Sequence, residues 1–341
     1  MSMEQGRTER FQRNADLEAL LGELNELLGH AAAADLERTA PVDWPVVLVI
    51  GAPRSGTTLA LQWLAATGAL AAPTNLLARF YQAPSIGARL QRLLTDPALG
   101  QGSELGDLAG ALRADAFESE LGKTRGALAP HEFWYFWRRF LPTVDIEPMG
   151  ARAADADWTG LRRELGLWAA VEGRPLALKG MMLQYDLPAL AECFPEALFV
   201  HLERDPVSNA LSLLRARERF FGTRERWYSA KPPEFEALQQ ASPAEQVAGQ
   251  VHWTVEHVRA GLAALGPARS VTCRYEDFCA DTGPFWRSLR ERAAALGYSL
   301  PERHAAPASF EARDRGEREA ALEREVERAL ADLGPLQRST S

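Results

Sequence analysis

The apolar, β-branched run Val46 to Ile50 leads straight into Gly51-Ala52-Pro53-Arg54-Ser55-Gly56-Thr57-Thr58. A strand that enters a glycine-bounded loop and then an apolar-periodic segment has the makings of a phosphate cradle. The glycines allow a sharp exit and close backbone approach, and several N–H groups converge on one anion where the helix begins. Both glycines and the last hydroxyl fit the spacing of the phosphate-loop pattern G-x-x-x-x-G-K-[ST], but Thr57 stands at its lysine position. A cation returns three residues earlier as Arg54. The loop therefore suits a phosphate-like group better than a nucleoside triphosphate held with magnesium. Two further cations, Lys179 and Arg204, also fall at or just after apolar runs that read as strands.

The elements that must position these groups alternate between two periodicities. Leucines at 17, 20, 21, 24, 27 and 28 predict an amphipathic N-terminal helix over 14–38, placed to cover a sheet face. Pro41 and Pro45 punctuate a linker that Trp44 anchors, and the helix after the loop stops near Thr67-Gly68. Residues 71–172 read as a helical excursion suited to acceptor binding. Short helices are expected at 76–81 and 86–94, then a stretch with Gly100, Gly102, Gly106, Gly110, Gly122 and Gly126, and a helix over 158–171. Within it Phe133-Trp134-Tyr135-Phe136-Trp137, followed by Phe140, reads equally as a pocket wall or as a core helix. Strands at 175–179, 197–202 and 269–274 alternate with helices at 187–193, 207–217 and 244–264, and Tyr275-Glu276-Asp277-Phe278 leads from the last strand into a helix that runs to about Leu296. This order predicts an α/β fold, a three-layer sandwich with a mostly parallel sheet whose ligands lie beyond the carboxyl ends of its strands. Basic and aromatic residues from Arg215 to Lys231 suggest a flap, and 298–341 reads as a helical C-terminal tail with a charged helix over 317–333.

Composition narrows the function class. The chain has 341 residues, 46% hydrophobic and 25% charged, as in ordinary globular proteins. A net charge of −8 disfavours a general nucleic-acid binder, so any anion site must be a local basic pocket. The polar first thirteen residues lack the apolar core of a signal peptide, and no run approaches the roughly 18 apolar residues of a membrane helix. Three cysteines, Cys193, Cys273 and Cys279, form no C-x-x-C pair and indicate neither a disulfide framework nor a zinc site. A cytoplasmic chain with no membrane span is expected.

Three separated segments together resemble the 3′-phosphoadenosine-5′-phosphosulfate (PAPS) dependent sulfotransferases. Pro53-Arg54-Ser55-Gly56-Thr57-Thr58 is similar to that family's 5′-phosphosulfate loop, in which Lys or Arg precedes S-G-T-T. Arg204-Asp205-Pro206, with Ser212 eight residues after the arginine, is similar to the 3′-phosphate motif. Arg274-Tyr275-Glu276-Asp277-Phe278 resembles a segment whose tyrosine lies near the adenine. The resemblance implies a single domain over 1–341 that transfers a sulfuryl group from PAPS without a metal. It assigns cofactor contacts to Arg54, Ser55, Gly56, Thr57, Thr58, Arg204, Ser212 and Tyr275, and transition-state charge to Arg54 and Lys179.

The general base does not carry over. Cytosolic members place it two residues after the lysine, where this chain has Met181, and Pro73-Thr74-Asn75 replaces the G-E-T-R of relatives that use a glutamate. His131 and Glu132 in the aromatic block are the candidate substitutes, with Glu118 and Glu120 behind them. The acceptor is expected to be a small molecule with apolar or aromatic bulk, and a homo-oligomer is compatible with the sequence. A P-loop kinase using ATP and a non-catalytic nucleotide-binding protein remain open as alternatives.

Overall fold

The computed structural model describes residues 6–38, 45–100, 117–312 and 319–335. Pro41 and Trp44 of the linker, and Gly102, Gly106 and Gly110, lie outside them. Strands β1 (Val46–Ile50) and β4 (Leu176–Lys179) are buried throughout, and β5 (Leu198–Glu203) is nearly so. Continuous apolar runs of this kind have both faces covered, which is the setting of parallel sheets. All four strands of the sheet pair in parallel, in the order β4-β1-β5-β6, with β6 at Ser270–Arg274. Between β1 and β4, the two-residue strands β2 (Ser119–Glu120) and β3 (Lys123–Thr124) form a separate antiparallel hairpin.

The longer helices are α1 (Ala15–Arg38), α2 (Thr57–Ala66), α3 (Pro84–Thr95), α4 (Trp158–Glu172), α5 (Leu187–Cys193), α6 (Pro206–Phe221), α7 (Pro243–Leu265), α8 (Thr282–Ala295) and α9 (Ala320–Leu333). Side chains alternate across the sheet. Val46, Leu48 and Ile50 join a core with α4, α5, α7 and the aromatic block, whereas Val47 and Val49 join one with α2 and α8. The result is the expected three-layer α/β sandwich.

Several elements depart from their sequence reading. Helix α1 packs on the Leu77–Phe80 turn, α3 and α4 rather than on the sheet. Helix α6 runs on to Phe221, so Arg215, Arg217 and Arg219 belong to it rather than to a flap. Arg217 is fully buried, donating to Gln246 Oε1 at 2.7 Å and lying 5.0 Å from the Trp227 ring. The segment Tyr275-Glu276-Asp277-Phe278, read as leading into the last helix, is itself part of a short helix, Tyr275–Ala280, and the helical run breaks at Asp281, whose side chain caps α8 by accepting Gly283 N–H at 2.8 Å. Residues 298–312 are not helical; they cross the α2 side of the sheet toward the strand ends, and α9 then packs on α6 and α7.

Trp63 joins that crossing segment to the sheet. It is fully buried, meets Phe278, Phe285 and Trp286 edge-on at 5.6 Å, and donates to Pro307 O at 2.8 Å. No helix of the described residues is long and apolar enough to cross a membrane. Trp63→Ala is expected to cost about 3–5 kcal/mol in urea unfolding. A loss below about 1 kcal/mol would show that α2 does not anchor residues 298–312 through this ring.

Candidate active site

The loop after β1 ends at Gly56, where α2 begins. Gly56 has φ 105°, and a Cβ there would lie 2.5 Å from Tyr275 Cδ2. The tyrosine ring thus lies against the loop backbone, and no side chain fits between them. Arg54 holds φ 72°, a left-handed conformation uncommon for a residue with a Cβ. Ser55 Oγ is fully buried with no hydrogen-bond partner among the described residues. The first amides of α2 have no carbonyl within the helix to bond, and its positive end favours negative charge.

The turn after β5 is tied to this loop. Arg204 Nη1 donates to Arg54 O at 3.2 Å, and Asn209 Nδ2 to Pro53 O at 2.7 Å. Pro206 opens α6, and the Asp205 carboxylate caps it by accepting Ser208 N–H at 2.8 Å. The Arg204 guanidinium lies 4.8 Å from the Tyr275 ring, and Arg54 Nε is 3.4 Å from Ser212 Oγ. Burial is the largest cause lowering the pKa of Arg54; Arg204 pulls the same way, against Tyr228 and Glu132. Two guanidiniums gathered on one side of a cleft, one of them destabilised by desolvation, favour an anion between them.

Lys179, the last residue of β4, is 5% exposed. Its Nζ donates to Thr58 Oγ1 at 2.7 Å and to Glu132 Oε1, while Glu132 Oε2 accepts the Trp134 indole N–H at 2.6 Å. Both carboxylate oxygens are thereby oriented. Most of the aromatic block is core: Phe133, Phe136, Trp137 and Phe140 are buried, while Trp134 lines the cleft. His131 takes the other side of the chain. Its Nδ1 accepts Phe133 N–H at 2.9 Å, and burial, more than any charge, pulls its pKa down to about 4.

These groups surround one cleft of about 270 Å³ at the carboxyl ends of all four strands. Arg54, Gly56, Thr57, Thr58, Lys179, Arg204, Ser212, Tyr275 and Glu132 line it, and Ser55 lies buried behind the loop. His131, Glu118 and Glu120 are not among the lining residues; Glu120 instead pairs with Arg10. Four cations, Arg54, Lys179, Arg204 and Arg215, face two carboxylates, Glu132 and Glu311, so the cleft is a basic pocket in an acidic chain. Met181 lines it too and receives the Thr57 hydroxyl at 3.8 Å through its sulfur.

Lining residues that sequence reasoning did not assign include Leu121, Gln62, Phe117, Ser119, Phe310 and Glu311. Only the turn-forming Gly122 marked the first of them. No described His, Cys, Asp and Glu residues form a group of three or more arranged to hold a metal.

Residues 45–295 match the family model described as Sulfotransferase family. Two solved structures resemble the whole fold. Sulfotransferase STF9 from Mycobacterium avium is 18% identical with a TM-score of 0.53, over 98% of this chain and 80% of that one. Sulfotransferase STF1 from Mycobacterium tuberculosis H37Rv is 18% identical with a TM-score of 0.51, over 97% and 83%. At such identity the likeness is one of fold. No curated protein matches the chain by sequence.

The histidines give the fold a pH dependence of definite sign. His131 and the fully buried His201 both have pKa values lowered to about 4, chiefly by burial. Between pH 6.5 and 4 the unfolded chain binds more protons, so stability falls as pH falls, by up to about 1.4 kcal/mol per pH unit for each. Urea titrations across this range are expected to show that decline. His131→Asn, whose Oδ1 can still accept Phe133 N–H, should flatten it by one proton. An unchanged slope would mean that His131 is not held neutral.

Proposed function

The chain belongs to the sulfotransferase family, and we propose that it transfers a sulfuryl group from PAPS to a hydroxyl or amine of a small acceptor. The observation that carries this reading is the meeting of Arg54, Ser212, Arg204, Tyr275 and Lys179 around one cleft, from four strand ends far apart in sequence.

The residues present fit the donor. Ser55 Oγ lacks a partner among the described residues, the first amides of α2 have no carbonyl within the helix to bond, and the space a Cβ at Gly56 would occupy is taken by Tyr275. In this reading the loop, Thr57 and Thr58 hold the 5′ end of the nucleotide. Arg204 and Ser212 hold the 3′-phosphate with charge-assisted bonds, and Tyr275 lies beside the adenine. PAPS supplies the activated sulfuryl group.

Glu132 is the general base. It accepts the proton of the acceptor as the acceptor oxygen or nitrogen bonds to sulfur and the sulfur–oxygen bond to the 5′-phosphate breaks. Trp134 keeps Glu132 oriented. Once protonated, Glu132 no longer neutralises Lys179, whose ammonium can then face the negative charge building on the leaving phosphate oxygen. Arg54 serves the same charge from the loop. The apolar lining from Trp134, Met181, Tyr228 and Leu59 suits an acceptor with apolar or ring-bearing bulk.

Calorimetry tests the donor half. Wild-type protein is expected to bind 3′,5′-diphosphoadenosine and to bind AMP far more weakly, and Arg204→Ala to lose about two orders of magnitude for the diphosphate. Binding of ATP with magnesium alone would move the chain to the kinases. Glu132→Gln is expected to lower release of 3′,5′-diphosphoadenosine from PAPS, with a panel of phenols and alcohols, by about 10²–10⁴-fold without weakening diphosphate binding. An equal loss in both would make Glu132 a binding residue instead.

A further inference from the structure

Among the described residues, five that are not glycine hold a positive φ: Arg54 (72°), Phe117 (63°), Leu121 (49°), Phe133 (61°) and Ser229 (71°). Four of them line the cleft, and Phe133 lies between Glu132 and Trp134, which both do. Backbone outliers gathered at one place point to a demand other than folding.

Leu121 is the least expected of the five. It and Gly122 (φ 86°) are the two-residue loop of the β2–β3 hairpin, in which Glu120 pairs with Lys123 and Ser119 with Thr124. Positive φ at both loop positions makes a type I′ turn, which favours Asn, Asp or Gly at the first of them. A leucine there crowds its own backbone, in a hairpin with two residues per strand. Neighbours hold the turn instead. Tyr228 Oη donates to Leu121 O at 3.2 Å, Gln62 Nε2 to Glu118 O at 3.3 Å, and Asn75 Nδ2 to Thr124 O at 3.2 Å.

The tip abuts the proposed base. A Cβ on Gly122 would lie 2.7 Å from Glu132 Oε1, and Leu121 lines the cleft together with Trp134, Tyr228 and Met181. The turn would form more readily with another residue, and the leucine that stands there lines the cleft.

We propose that Leu121 is a specificity-determining residue of the acceptor pocket, contacting the non-reacting, alkyl-bearing part of an apolar alcohol whose hydroxyl meets Glu132. This rests on the sulfotransferase reading given above. A side chain kept at a conformational cost to its turn makes a prediction of unusual sign, because the variant that loses ligand should gain stability.

Leu121→Asn supplies the residue the turn favours and removes the apolar contact, whereas Leu121→Ala removes the contact without relieving the turn. The first is expected to raise Tm by about 2 °C; the second is expected not to raise it. In tryptophan-fluorescence titrations, wild-type protein should bind 4-butylphenol about tenfold more tightly than phenol, and both variants should lose most of that preference. A Leu121→Asn protein that melts at or below the wild-type temperature overturns the proposal, as does a variant that keeps the full preference for the butyl group. Titration with 3′,5′-diphosphoadenosine separates the two readings. Normal wild-type affinity for it with no butyl preference overturns this proposal alone, whereas no affinity for it overturns the donor reading.

Discussion

The Lys179 ammonium sits at the end of a strand buried on both faces, where a charge is tolerated only if other groups replace water around it. Thr58 and Glu132 do so, and they come from opposite sides. Thr58 belongs to the first turn of α2, so one bond fixes the loop helix to β4. Glu132 belongs to the segment between β1 and β4, so the other draws that segment back over the strand ends. The aromatic block makes its return rigid: Phe133 and Phe136 stack at 4.6 Å, and Phe133 meets Trp168 of α4 edge-on at 5.8 Å. One buried ion pair therefore joins the basic half of the cleft to the apolar half.

The basic half is held together differently. Like charges on Arg54 and Arg204 repel, and their positions are set by bonds that do not depend on their mutual charge. Arg204 donates to a carbonyl of the loop, Asn209 donates to another, and the Asp205 amide donates to Glu276 Oε1 at 3.0 Å. The short helix that follows β6 supplies both Glu276 and the Tyr275 ring that faces Gly56. Preorganisation of this kind keeps donors aimed at a site without reorganisation when negative charge arrives or moves.

The protein concentrates its backbone strain where the sheet ends, and leaves the sheet regular. Inside the sheet every strand pairs in simple register, and the two cores pack alternate residues of the same strands. Around the cleft, arginine, phenylalanine, leucine and serine occupy left-handed conformations. Rigid packing below can support unfavourable conformations above, because a well-filled core does not relax to release them.

Most of the scaffold was legible in the sequence. The strand at Val46–Ile50, the loop glycines, Pro206 after Arg204 and the helix at Leu187–Cys193 are written in local signals, namely β-branched runs, turn residues and helical spacing, and short-range chemistry decides them. The cations at strand ends were legible for the same reason, because a parallel sheet presents those ends on one edge. Local signals could not choose between His131 and Glu132. Adjacent residues leave the backbone in different directions, and the choice depended on Phe133 N–H capturing one ring and Lys179 capturing the other side chain. Helix α6 absorbed the arginines read as a flap because burial of Arg217 against Trp227 and Gln246 is a tertiary contact. Phe310 reached the cleft through packing against Phe117 at 4.9 Å, across nearly two hundred residues of chain. Sequence by itself determined the sheet, the glycine-bounded loop and the placing of charge at the strand ends; tertiary packing alone decided which acid faces the cleft and which apolar residues close it, because those depend on distant segments meeting.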